Sequence, residues 1–178
     1  MRSRPGGPGT RRRAPAAAPP RIAKALRRQA PELTAVAFKA KATWGYPAAW
    51  LDRWADVLTV TPGFIARNPT YVAYVGARIA GFYSMSVSGR RASLEHFWVH
   101  PRFIGRGVGR RMFMHFESRA LGAGAVRAEI ESDPHAEGFY VRMGATTYSR
   151  RKARMDGRPR FLPLLAKRLR RPFPSPRA

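Results

Sequence analysis

His100-Pro-Arg-Phe-Ile-Gly-Arg-Gly-Val-Gly-Arg-Arg111 is the stretch that decides how this chain folds. Upstream of it lies Ser93-Leu-Glu-His-Phe-Trp-Val99, a short apolar run ending in a β-branched residue. Downstream, Met112, Phe113, Phe116, Ala120 and Leu121 recur at the spacing of one helix face. The order is therefore strand, glycine-rich turn, helix. Gly105, Gly107 and Gly109 let the backbone turn sharply and pass close to a ligand. The helix that follows begins with N–H groups that lack helical partners, at the positive end of its dipole. Such a start suits a pyrophosphate, and Arg106, Arg110 and Arg111 bring guanidinium groups to the same place. The plainer reading is a tight strand-to-helix turn with solvated arginines. The spacing is not a dinucleotide fingerprint, which needs a third, helical glycine and a later acid. It is not a Walker loop, which needs Gly-Lys-Ser/Thr.

The loop resembles the coenzyme loop of the GCN5-related N-acetyltransferase (GNAT) family, whose pattern is Arg/Gln-x-x-Gly-x-Gly/Ala after a strand ending in Val-x-Pro. Val99-His100-Pro101 and Gly107-x-Gly109 match, while Ile104 departs from the Arg/Gln position. A second family signature, Asn-x-x-Ala-x-x-x-Tyr-x-x-x-Gly-Phe, is met downstream by Ala136, Tyr140 and Gly144. There Asp133 replaces Asn and Ala145 replaces Phe. Two linked motifs in the right order are far more specific than either alone. The resemblance spans Arg21 to Arg168. Lys41-Ala-Thr-Trp-Gly-Tyr46 and Leu162-Pro-Leu-Leu165 are similar to stretches of a subgroup of small bacterial members.

The resemblance implies an α+β fold: a mixed, mostly antiparallel central sheet with helices on both faces. It implies a cytoplasmic N-acetyltransferase that moves an acetyl group from acetyl-CoA directly to an amine, with no metal. Phe97, Trp98 and Val99, on the central strand, would hold the pantetheine arm through backbone N–H groups. Ile104, Gly105, Arg106, Gly107, Val108, Gly109 and Arg110 would cradle the pyrophosphate, with Asp133 and Ala136 on the same side. Tyr140 stands at the family's acid position, and a phenol of ordinary pKa is protonated at neutral pH. Packing of the short helix is its plainer role. Glu95 is the candidate base; His96, on the opposite face, or a water are alternatives. Glu129, Glu131 and Asp133 are either solvated or part of an acidic pocket for the amine. Trp44, Tyr46, Trp50 and Trp54 are candidates for the acceptor side, although Trp50 and Trp54 at i, i+4 also read as core. The acceptor is left open between a small-molecule amine and a peptide. Homodimers are common in the family.

Composition sets wider bounds. A chain of 178 residues, 44% apolar, makes one domain with a sizeable core. Without cysteine there is no disulfide, no thiolate metal site and no acetyl-cysteine intermediate. No apolar run approaches the ~20 residues that span a bilayer. The net charge of +24 favours non-specific attraction to nucleic acid or anionic surfaces. A GC-rich codon bias would give the same composition. The alternative function is accordingly a non-enzymatic nucleic-acid-binding protein on a degenerate acetyltransferase scaffold.

In chain order, residues 1–20 are Arg-, Pro-, Gly- and Ala-rich, too poor in apolar bulk to offset their ordering entropy. No apolar stretch follows Arg11-Arg12-Arg13, as an export signal would need. The acetyltransferase domain is expected over 21–168 and a basic tail over 169–178. Within the domain, a strand is expected at Arg21–Ala25 and a helix opening at Pro31-Glu32. A second helix is expected from Pro47 through Leu58, and a third from Thr61-Pro62 to Arg67. Strands follow at Tyr71–Val75, Ile79–Val87 and Ser93–Val99. After the glycine loop and its helix come a strand at Val126–Glu131 and a short helix at Ala136–Met143. A last hairpin, Thr146–Ala153 with Arg160–Leu165, turns at Asp156-Gly157.

Overall fold

The computed structural model describes residues 19–170, so the two terminal tails lie almost wholly outside the described residues. Seven strands form one sheet: β1 (Arg21–Lys24), β2 (Thr70–Val75), β3 (Arg78–Ser88), β4 (Arg91–Val99), β5 (Arg127–Glu131), β6 (Thr146–Met155) and β7 (Arg158–Arg168). Their spatial order is β1-β2-β3-β4-β5-β7-β6. Every neighbouring pair is antiparallel except β4 with β5. Among the described residues six α-helices complete the fold: α1 (Ala30–Ala42), α2 (Ala48–Arg53), α3 (Ala55–Leu58), α4 (Pro62–Arg67), α5 (Val108–Gly122) and α6 (Glu137–Arg142). The expected α+β class and mixed sheet are what the structure shows. None of the described helices is long and apolar enough to cross a membrane.

Alternation along the strands feeds two cores, one on each face. Tyr71, Ala73 and Tyr83 join Met112, Phe113 and Phe116 of α5. Val72 and Phe82 join Leu33, Val36 and Ala37 of α1. Phe113 and Phe116 are fully buried, worth about 1.5–3 kcal/mol each by the area they remove from water. Gly81 makes the close fit of β3, β4 and α5 possible. A Cβ there would lie 2.6 Å from the Trp98 carbonyl oxygen and 2.9 Å from Met112 Sδ.

The parallel pair is short. Arg91–Ser93 of β4 meet Arg127–Glu129 of β5, and the ladder stops there. From Leu94 onward β4 keeps its β3 partner but has none on the β5 side among the described residues. Two features open this gap. Glu95 is an extra residue in β4, since Ser84 pairs with His96 and Met85 with Leu94, and such a bulge bends its strand. Pro134, shortly after β5, has no N–H to extend a ladder.

The single helix expected from Pro47 to Leu58 is instead two short ones. The break is at Trp54, whose backbone (φ −91°, ψ 5°) leaves the helical region. Its indole is drawn toward Lys41 and Arg160, so a tertiary contact overrides the local periodicity. Val57, which continues the helical spacing of Trp50 and Trp54, is 66% exposed. The last hairpin is longer than expected and turns at Asp156-Gly157, where both residues take positive φ (51° and 72°), as an Asp-Gly hairpin turn does.

Candidate active site

The gap between β4 and β5 opens into a cleft of about 540 Å³. Leu94, Glu95 and Phe97–Val99 form one wall; Glu131, Ser132 and Asp133 form the other. The start of α5 closes one end, and Phe139 and Tyr140 of α6 line the cleft.

On the α5 side the cleft is built from backbone. Gly107 caps the helix at φ 77°, a conformation that strains any residue with a Cβ. The first helical hydrogen bond runs from Arg111 N to Gly107 O, which leaves the N–H groups of Val108, Gly109 and Arg110 available at the dipole's positive end. The side chain of Val108 is buried in the core, so that residue offers its N–H only. Gly109 sits against Phe139 and Val99, with a built Cβ 3.2 Å and 3.6 Å from their nearest atoms. Ile104, in the Arg/Gln position, is 56% exposed at the cleft edge beside Gly105 and the exposed Arg110. Arg106 and Arg111 line an adjoining groove of about 380 Å³ with Phe103 and Gly107. The donor set, the cations and the apolar strand edge together fit a coenzyme with an anionic head and an extended arm.

Tyr140 sits beneath this cleft with only 6% of its surface exposed. Its ring packs against Phe97, Phe113 and Phe139 at 5.1–5.9 Å between centroids. Burial pushes its phenol well above the usual tyrosine range, so it stays protonated at neutral pH. Ala136 lines the cleft one helical turn before it. Glu95 also lines the cleft and is exposed; the Ser86 hydroxyl donates to its carboxylate at 2.5 Å. Among the described residues it forms no salt bridge, whereas Glu131 pairs with Arg151 and Glu129 lies 3.5 Å from Arg127. The structure does not bring His96 to the cleft. Its ring packs edge-on against Phe64 (5.0 Å) on the α1 face, and burial lowers its pKa, keeping it neutral. Its Nδ1 accepts from Trp98 Nε1 at 3.1 Å, which holds that indole in the cleft wall.

On the α1 side the cleft rests on one buried carboxylate. Asp133 accepts from Lys41 Nζ at 2.5 Å, Tyr46 Oη at 2.9 Å, Arg160 at 3.0 Å and the His135 N–H at 3.0 Å. The side chains of Asp133, Lys41 and Arg160 are only 7%, 9% and 13% exposed. Burial alone would raise the Asp133 pKa, but the hydrogen bond and charge of Lys41 outweigh it and hold the carboxyl below its ordinary value. Burial pulls Lys41 down, opposed by Asp133. Burial, with the Asp133 charge, pushes the Tyr46 phenol up to about 12. Aromatic faces surround the cations: Lys41 Nζ lies 4.2 Å from the Trp54 ring centre and 4.9 Å from Tyr46, and Arg160 lies 4.7 Å from Trp54.

The resemblance made Asp133 a candidate for the coenzyme side, or for an acidic amine pocket, and Tyr46 a candidate for the acceptor side. In the structure Asp133 lines the cleft but is engaged by the α1 side, and Tyr46 stands behind it, bonded to Asp133. Trp44 does face the cleft, stacked on His135 (5.8 Å) and tilted against Trp98 (6.0 Å). Lys41 and Arg160 were missed as site residues. Lys41 stood in the quoted Lys-Ala-x-Trp-Gly-Tyr stretch, whereas Arg160 is one of 34 basic residues with nothing local to mark it.

A β4 edge freed at its bulge lies over a glycine-capped helix start, and the family model for the acetyltransferase (GNAT) family matches residues 27–145. The chain belongs to the GNAT family. This makes it an acyltransferase of the N-acetyltransferase class. Among curated proteins none matches the chain. Its fold is similar to that of a GCN5-related N-acetyltransferase from Rhodopseudomonas palustris (TM-score 0.73, 20% identity, covering 86% of this chain and 98% of that one). It is also similar to the PaiA N-acetyltransferase of Thermoplasma acidophilum, solved with coenzyme A (TM-score 0.67, 15% identity, 84% and 98%). A third likeness is to the ribosomal-protein-alanine N-acetyltransferase of Escherichia coli (TM-score 0.64, 18% identity, 88% and 97%).

Proposed function

We propose that this GNAT protein transfers an acetyl group from acetyl-CoA directly to the amine of a small molecule or peptide. The observation that carries the reading is the freed edge of β4 running from the α5 N-terminus to Tyr140. The N–H groups of Val108–Arg110, with Arg106 and Arg110, bind the pyrophosphate. Backbone N–H groups of the Phe97–Val99 edge hold the pantetheine arm and polarise the thioester carbonyl. Glu95 accepts the proton of the incoming ammonium, directly or through water, so that the neutral amine attacks the carbonyl carbon. As the C–S bond breaks, Tyr140 gives its proton to the departing thiolate and recovers one from the nitrogen of the collapsing tetrahedral intermediate. Direct transfer suits a chain without cysteine.

The acceptor side supports an amine on an apolar or flat body. Trp44 and Trp98 form its wall, and Glu95 is the cleft carboxylate left without a cation among the described residues. A polycation would meet one free acid inside a strongly basic protein, an unfavourable balance. The test has two steps. Calorimetric titration should give micromolar binding of acetyl-CoA that persists in salt and exceeds that of ADP. Release of the coenzyme thiol should then be followed over a panel of amines, with arylalkyl monoamines turned over ahead of polyamines. No preference for acetyl-CoA over ADP would remove the coenzyme reading. Faster turnover of polyamines would remove the acceptor reading alone.

A further inference from the structure

Beyond the cleft, β6 and β7 run on past the rest of the sheet. β5 pairs with β7 only over Leu164–Arg168, whereas β6 accompanies β7 back to Arg158. Residues 150–163 therefore form a two-stranded arm, a structure that is marginal in water without support. One side of the arm is tied to the body. Asp156 accepts from Trp50 Nε1 and ion-pairs with Arg53, and Arg160 reaches Asp133.

The other side is covered at Pro163 and is exposed only toward the hairpin tip. Arg150, Lys152 and Arg154 alternate along β6 and so share a face. Phe161 lies directly across from Lys152 and is 50% exposed. Arg150 is paired with Glu137. Lys152 and Arg154 are exposed and form no salt bridge among the described residues, whereas Arg158, across from Met155, lies on the other face with Arg160.

We propose that this face of the β6–β7 arm binds single-stranded nucleic acid, with a base stacked on Phe161 and phosphates on Lys152 and Arg154. Cations alone would suit any polyanion. The half-exposed aromatic ring among them adds the flat apolar surface that a nucleobase uses and a carboxylate chain does not. A net charge of +24 supplies the long-range attraction that brings such a polymer to the arm. Nothing in this binding requires acetyl transfer.

The experiment is fluorescence anisotropy of the full chain with labelled oligo-U RNA and oligo-dT DNA over a salt series, with poly-glutamate as competitor. The Lys152→Ala/Arg154→Ala variant should flatten the log–log salt slope by about 1.4, as expected for two phosphate contacts at roughly 0.7 each. Phe161→Ala should weaken binding at least about fivefold, and Phe161→Leu, which keeps apolar bulk, should weaken it nearly as much. Acetyl-CoA affinity should be unchanged in all three, which confirms that they fold. Tighter binding of either oligonucleotide identifies the polymer and supports the proposal. Wild-type RNA and DNA binding in the arm variants would overturn it and move the attraction to other basic segments. So would competition by poly-glutamate equal to that by RNA.

Discussion

On the α5 side the cleft is walled by backbone, the start of α5 at Val108–Arg110 and the free edge of β4. On the α1 side it is lined by Trp44 and Asp133, and Lys41, Tyr46 and Arg160 hold Asp133 from behind. The first half is local: a strand, a turn and a helix start adjacent in the chain. The second is assembled across long separations, with Lys41 and Asp133 92 residues apart and Tyr46 and Arg160 114 apart. A wall made of backbone depends little on which side chains flank it. A site made of paired charges depends on each of them, because removing one partner leaves the others buried and uncompensated.

The contrast can be broken at several points. The largest effect belongs to the chemistry both halves serve: Tyr140→Phe should lower kcat by about 10²–10⁴-fold while acetyl-CoA affinity stays within about twofold of wild type. Undiminished turnover would leave Tyr140 as packing only. In the backbone half, Gly107→Asp should weaken acetyl-CoA about 10²-fold. The positive φ costs roughly 1–2 kcal/mol, and the added carboxylate faces the site meant for an anion. Calorimetry showing intact affinity would remove the helix-start argument.

In the side-chain half, Asp133→Asn should destabilise the fold by about 3 kcal/mol in urea unfolding, since Lys41 and Arg160 lose their shared anion. Coenzyme affinity should change far less, and a large loss of it would erase the division between halves. The same residue gives a pH signature. Its folded pKa is depressed below 3.8, so its contribution is complete above that unfolded value and is lost as pH falls through the folded one. The acid limb of the stability profile should therefore be shallower in Asp133→Asn than in wild type. Smallest is Trp44→Ala, expected to raise the acceptor KM about tenfold, or 1.4 kcal/mol, with kcat nearly unchanged. A fall in kcat with constant KM would instead make Trp44 part of the catalytic geometry.

How far the sequence could be read follows the same division. The strands from Thr70 to Val99, helix α5 and the Asp156-Gly157 turn lie close to where periodicity and turn chemistry put them. Trp54 shows where that reasoning stops: its spacing continues a helix, yet its indole serves two cations from other elements. The Glu95 bulge is invisible to an alternation pattern, because the extra residue is defined only by its partner strand. His96 read as a candidate base from its neutral-range pKa, but the strand turns it into the aromatic packing of the α1 face.

By itself the sequence determined the family, the glycine turn that opens α5, the short helix that carries Tyr140 and the strand-to-helix order. These depend on residues near one another in the chain and on backbone that any neighbouring side chain leaves in place. The tertiary structure decided that Asp133 is claimed by Lys41, Tyr46 and Arg160, that Glu95 alone of the cleft acids has no cation among the described residues, and that a basic, aromatic arm stands clear of the sheet. Each of these is a question of which charges meet, and with 34 basic residues for 10 acidic ones the chain has many more pairings available than it uses. Only the packing of the two cores selects among them.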